Sequence, residues 1–236
     1  MPVMPVRVLA VSDEVDDVLL ADVSAARGAA LILACGDLPL DYLASLMNRL
    51  DIPLAFVPGN HDPDLSGYRF SRAGLTLRAS MPVRTPWPDG AVNADGRVVD
   101  VAGLRVAGLG GCLRYNQGPN QYTDRQQARR ALALRARARC RRIRDARPVD
   151  VLITHAPPRG VGDGDDPPHR GFAALRGLAA ALRPAALLHG HVRPAAGPAR
   201  PGHLGPTMVC NVTGWRLLRI APGATTAEVL APGDAR

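Results

Sequence analysis

Short apolar runs that each stop at a ligand-bearing polar residue constrain this chain more than any other feature. Residues 7–12 lead into Asp13, 30–35 into Gly36-Asp37, and 53–57 into Gly59-Asn60-His61-Asp62. Further on, 149–154 leads into His155 and 185–188 into His189-Gly190-His191. Apolar runs this short, bounded by Gly or polar residues, read as buried strands. Residues 15–27 have helical spacing and 41–49 read as a second helix, so the first 60 residues alternate β-α-β-α-β. That order predicts a parallel sheet. The carboxyl ends of such strands share one edge, and the loops leaving that edge are where ligands bind. Five polar clusters far apart in sequence are therefore expected to meet.

The rest of the chain is more varied. Residues 64–95 are irregular and rich in Pro and Gly, while 97–101 and 104–109 flank Ala102-Gly103 as a hairpin, where antiparallel structure takes over. Residues 113–123 form a polar loop carrying Tyr115, Asn116, Asn120 and Tyr122, and Arg114-Tyr115-Asn116 with Asn120 reads either as a lid or as a plain surface loop. A helix over 171–182 and strands over 207–212, 215–220 and 226–230 complete the pattern. With no internal repeat and no long linker, one domain spanning residues 1–236 is expected. No run approaches the ~20 apolar residues that a membrane span requires. A cytoplasmic protein with no membrane partner is the expectation. The four cysteines have no Cys-x-x-Cys spacing, which argues against both a disulfide framework and a thiolate zinc site.

The net charge of +8 comes from arginine alone, since the chain has no lysine. Residues 124–147 hold ten Arg against Asp124 and Asp145, leaving nineteen basic and nineteen acidic residues elsewhere. The basicity belongs to one helix. Ala128, Leu132, Ala136, Cys140 and Ile143 are expected on its packed face, with Arg130, Arg137, Arg141 and Arg144 pointing away. A solvated surface is the simpler reading of those arginines. A nucleic-acid docking face competes with it, weakened because no aromatic residues interleave for base stacking.

Carboxylate, amide oxygen and imidazole together suit Mn, Fe or Zn, and the want of nearby thiols argues against a structural zinc site. Singly, Asp13 and Asp37 would be ordinary helix N-caps, Gly59-Asn60 a turn, and His155 a loop imidazole. Together, the blocks Asp13, Gly36-Asp37, Gly59-Asn60-His61-Asp62, Thr154-His155 and Gly190-His191 resemble those of the calcineurin-like metallophosphoesterases, in matching order from residue 6 to about 220. The resemblance implies an α/β (α+β) fold, a four-layer αββα sandwich of two mixed sheets flanked by helices, with a two-metal site between the sheets. It implies hydrolysis of a phosphomonoester or phosphodiester by metal-activated water, on a phosphorylated small molecule or nucleotide. Asp37 matches the aspartate that bridges both ions, and Asn60, His155 and His191 match the other ligands of the second ion. Asp13 matches a ligand of the first ion. His61 matches a catalytic residue that is not a ligand, suited to act as general acid, with Asp62 or Asp41 orienting its ring.

The chain departs from the family at the first ion. The family's Asp-x-His reads Asp13-Glu14-Val15 here, and its Gly-His-x-His reads Gly190-His191-Val192-Arg193, so both first-ion histidines are missing. In one reading, Arg193 pairs with Asp13 and its guanidinium replaces the ion. In another, Glu14, Asp16 or waters rebuild an oxygen-rich site. In a third, catalysis is lost and a non-catalytic phosphate- or nucleotide-binding protein remains. Arg193, Arg114, His169 and Arg170 are the candidate substrate contacts. The 160–171 loop that carries His169 and Arg170 also reads as a solvated turn capping the next helix.

Overall fold

The computed structural model describes residues 4–70, 75–195 and 197–230. Two six-stranded sheets dominate it. The first runs Ala227–Val229, Gly214–Ile220, Val6–Ser12, Leu31–Ala34, Leu54–Phe56 and Val92–Asn93 in spatial order. The second runs Gly202–Leu204, Thr207–Asn211, Ala186–His189, Val151–Thr154, Leu104–Leu109 and Val98–Val101. Val6–Ser12, Leu31–Ala34 and Leu54–Phe56 pair in parallel, as do Leu104–Leu109, Val151–Thr154, Ala186–His189 and Thr207–Asn211. The antiparallel hairpin at 98–109 is thus only the edge of a largely parallel sheet.

Strand period explains the layering, because alternate side chains point to opposite faces. Val8 and Ala10 meet Val106, Ile153 and Leu188 between the sheets, all fully buried. Leu9 and Val11 face the other way, onto Leu19, Tyr42 and Leu46. The outer face of the second sheet places Ala107, Leu152 and Leu187 against Leu134, Ala138, Leu175 and Leu178. The order is helix, sheet, sheet, helix, the expected four-layer sandwich.

Three sequence expectations are corrected. The helix expected over 15–27 is two short pieces, Asp17–Ala21 and the 3-10 turn Val23–Ala26. Asp22 ends the first by accepting a hydrogen bond from the Ser24 amide, which starts the second. Residues 64–95, expected to be irregular, supply the edge strand Val92–Asn93 and a small sheet of Tyr68–Phe70, Thr76–Arg78 and Met81–Pro82. The Arg-rich helix, Asp124–Asp145, is rotated from its expected orientation: Gln127, Ala131, Leu134 and Ala138 are buried, whereas Leu132 and Ile143 are exposed.

The cause of that rotation is polar. Arg130 places both Nη groups on Asp95 and Gly110 and lies 3.9 Å over the Tyr122 ring. Arg137 donates to the Gly96 carbonyl, and Arg141 to the Val98 carbonyl and to Asp100. At the far end, the buried Arg105 bridges Asp100, Asp145 and the Arg147 carbonyl. Three of the four arginines expected to face solvent hold the helix on the hairpin, because alanine marks neither face of a helix strongly.

Candidate metal centre

Parallel pairing brings the strand ends to one edge, and there three non-glycine residues have left-handed backbones: Asp13 at φ 60°, Asp37 at φ 57° and His191 at φ 68°. Conformations this sparsely populated persist where surrounding structure enforces them, and they cluster at functional sites. Two glycines make the crowding possible. A Cβ at Gly59 would run into the Asp37 carboxylate, and one at Gly190 into Asp13 Oδ2 and Ser12 Oγ. Asp13, Asp37, Asn60, His61, Tyr115, Pro168, His169, His191 and Arg193 line a single open cavity of about 490 Å³.

His155 lies at the centre, fully buried. Its Nδ1 is 2.7 Å from the Cys35 carbonyl, which can only accept, so Nδ1 carries the hydrogen. That leaves Nε2 facing Asn60 Oδ1 at 3.0 Å and Asp37 Oδ2 at 3.2 Å. Two acceptor oxygens thus converge on one ring nitrogen, an arrangement that calls for a cation there, either a proton on Nε2 or a metal ion that its lone pair would bind. Burial pushes the His155 pKa down, but hydrogen bonding and charge from Asp37 outweigh it and raise it to about 9. Burial likewise works to raise the Asp37 carboxyl, yet His155 and the His61 amide leave it below its ordinary value. A proton on Nε2 is the smallest cation that meets this demand.

His191 completes the cluster: one atom each from Asp37, His155 and His191 lies within 4.8 Å of the others. Its Nε2 is 2.8 Å from the Pro168 carbonyl and so holds that ring's hydrogen, leaving Nδ1 as the ligand atom. Burial first, then the charge of His155, lowers the His191 pKa to about 4, which keeps the ring neutral as a ligand must be. Asn60 is oriented by Tyr115, whose hydroxyl accepts from Nδ2 at 3.2 Å and keeps Oδ1 toward His155. The buried donor set of carboxylate, amide oxygen and two imidazoles fits a divalent Mn, Fe or Zn ion.

Asp62 is placed differently from expectation. Its Oδ2 accepts from the amides of Asp37 and Gly59, at 2.9 and 2.7 Å, tying two ligand loops together. Burial raises its pKa. Among the described residues neither Asp62 nor Asp41 hydrogen-bonds the His61 ring, so the ring-orienting role is corrected for both. His61 itself is exposed at the cavity wall, its amide donating to Asp37 Oδ1 at 2.8 Å.

The first-ion side differs in kind. Asp13 lines the cavity outside the three-residue cluster, and its Oδ2 accepts from the His191 amide at 2.9 Å. The Arg193–Asp13 pair of the first reading is not formed: Arg193 Nε meets Glu14 Oε1 at 3.2 Å, with Arg193 largely in solvent and Glu14 about half-exposed. Asp16 is occupied too, capping Leu19 and accepting from the Trp215 indole. A short guanidinium–Asp13 pair would need Arg193 to reach inward, whereas Glu14 holds it at the rim.

Of the loop residues, His169 reaches the cavity with Nδ1 held 2.7 Å from Asp166. Arg170 and Arg114 do not line it, which corrects their expected substrate contact. Arg170 turns back to the Asp165 carbonyl, and Arg114 bonds the Gln121 carbonyl and Gln126. Both are satisfied by nearer groups of their own surroundings. The sequence assigns no definite role to Tyr115, Asn120 or the Pro168 carbonyl. Asn120 clamps the Gly59–Pro63 loop by donating to the carbonyls of Gly59, Asp62 and Pro63. The signal available is the density of amides and a tyrosine in 113–123, which is excessive for a bare connection.

This geometry coincides with a family match over residues 11–193, to the calcineurin-like phosphoesterases. The chain belongs to that family. The TT1561 protein of Thermus thermophilus is similar in fold at 20% identity, with a TM-score of 0.57 over 99% of this chain and 100% of that one. GAP50, described as the anchor in the inner membrane complex of Plasmodium, aligns at 10% identity and a TM-score of 0.54, over 99% of this chain and 86% of that one. No curated protein matches the sequence. Family membership supports a hydrolase acting on phosphoesters and dependent on metal.

Proposed function

We propose that this phosphoesterase hydrolyses a phosphomonoester or phosphodiester of a small molecule or nucleotide, with one divalent Mn, Fe or Zn ion held by Asp37, Asn60, His155 and His191. The observation that carries the reading is the buried cluster itself: one atom each from Asp37, His155 and His191 within 4.8 Å of the others, with Asn60 Oδ1 3.0 Å from His155 Nε2. A bound ion would lower the pKa of a water to make the nucleophile and would polarise the phosphoryl oxygens.

The chain's own groups do the rest. Asn60 and His191 are locked in rotation by Tyr115 and Pro168, so neither needs to reorganise on binding. His61, at the open wall, would protonate the leaving oxygen. His169, with Nδ1 held by Asp166, would stand at the cavity wall beside the bound substrate. Arg193 would meet outlying parts of the substrate from the rim. The free, mostly buried cysteines suit a reducing compartment, which favours the cytoplasm.

A second reading, a protein that binds phosphate without turnover, draws on the missing first-ion histidines. Purified protein refilled with Mn should release p-nitrophenol from p-nitrophenyl phosphate or its bis ester and lose that activity on chelation. If it holds the ion, shows a thermal shift with phosphate and cleaves neither ester, the binding reading stands instead.

A further inference from the structure

We propose that the outer face of the Asp124–Asp145 helix docks in the plane of an anionic lipid bilayer. The arginines of this helix divide into two sets. Arg130, Arg137 and Arg141 bond inward to the hairpin. The side chains of Arg129, Arg135, Arg139 and Arg142 make no hydrogen bond or ion pair among the described residues. The helix's two acids are already engaged, Asp124 by Arg159 and Asp145 by Arg105. The outer face therefore carries uncompensated positive charge.

The same face exposes aliphatic side chains. Leu132 is 66% and Ile143 74% exposed. At 3.6 residues per turn they share one stripe about 16 Å long, with Arg139 between them and Arg135 and Arg142 beside them. That stripe lies opposite the buried Gln127, Ala131, Leu134 and Ala138. Beside it opens a cavity of about 200 Å³, rimmed by Arg135, Arg139 and Arg142 and floored by Ala138, Val149 and Leu182. Guanidinium groups around an apolar floor match a lipid phosphate above the start of its acyl chains.

Charge complementarity alone would fit any polyanion, and the aliphatic stripe decides between them. A nucleic-acid backbone would pair with the arginines and leave Leu132 and Ile143 in water, with no aromatic side chain to stack on a base. A bilayer interface covers both, while the long arginine stems reach up to the headgroups. No helix among the described residues is long and apolar enough to cross a membrane, so the helix would lie on the surface. The expectation of no membrane partner rested on the want of a span, which leaves surface docking untouched.

The test is sedimentation of the full chain with vesicles of phosphatidylcholine, and with vesicles of phosphatidylcholine and phosphatidylglycerol in roughly equal parts. Binding to the anionic vesicles should exceed binding to the neutral ones at least about tenfold and weaken with added salt. Arg135→Glu with Arg139→Glu should remove that excess. Leu132→Asp with Ile143→Asp should lower it about tenfold, with thermal unfolding and soluble-ester turnover unchanged in both variants. Equal partition into the two vesicle types would overturn the proposal. So would variants that bind like the parent, or preferential binding to a DNA or RNA oligonucleotide at the same salt.

Discussion

The two sides of the metal cavity are built on different terms. Around His155, each candidate ligand side chain has its direction set by a hydrogen-bonding partner: the Cys35 carbonyl for His155, Pro168 for His191, Tyr115 for Asn60 and the His61 amide for Asp37. Around Asp13, the neighbouring groups are bonded to something else, Glu14 to Arg193 and Asp16 to Trp215 and a helix terminus. A side chain becomes a ligand through its second partner as much as through its own chemistry. By that measure the proposed ion site is the His155 side, and the Asp13 side is a wall carrying a single carboxylate.

Breaking the His155 side should have the largest effect. His155→Ala removes the central nitrogen, and the purified variant should hold no ion and show no ester hydrolysis above background, by metal analysis and p-nitrophenol release. His61→Asn should keep the ion and lower kcat by roughly 10²–10⁴-fold for an alkyl ester, with a smaller loss for p-nitrophenyl esters, whose leaving group scarcely needs a proton. Equal losses on both esters would remove the general-acid role.

Tyr115→Phe sharpens the comparison, since it touches no ion yet frees Asn60 to rotate. Its metal affinity should fall about 10- to 100-fold with little change in kcat at saturating metal, measured by metal titration. Arg193→Ala should do least, a few-fold change in KM and stability within about 0.5 kcal/mol, because its ion pair with Glu14 is exposed. A collapse of kcat in that variant would revive the arginine as a replacement for the first ion.

The convergence of Asp13, Asp37, Asn60, His155 and His191 is legible in the sequence because strand ends are the most local feature of a parallel sheet: an apolar run names the strand, and the polar residue after it falls at the shared edge. The sandwich follows from the same pattern through the resemblance. What the sequence conceals is direction. Nothing local distinguishes Arg130, which turns in to Asp95, from Arg129, which does not. Arg193 reads in one account as the partner of Asp13 because its guanidinium could take the place of the first ion, yet it pairs with Glu14 instead. Asp62 looks catalytic by its neighbour His61, whereas the tight turn points its carboxylate back at the amides of Asp37 and Gly59. Two-residue strands such as Val92–Asn93 carry too few side chains to show a period.

The metal-free protein should also respond to pH in two opposing ways. His155, raised to about 9, stabilises the fold fully below its unfolded value near 6.5, and this contribution is lost as pH climbs through 9. His189 and His191, buried and lowered to about 4, contribute in the opposite sense, above 6.5, and that is lost as pH falls toward 4. Melting temperature of the chelated protein should therefore peak near pH 6.5. Saturating metal should flatten the alkaline side, since the ion replaces the proton on His155.

The contrast between the two sides is tested most directly by counting ions per chain, using native mass spectrometry on protein purified without chelators. A single divalent ion, lost in His155→Ala and retained in Asp13→Ala, is the predicted result. Two ions per chain, or one ion that departs with Asp13 and stays without His155, would contradict it.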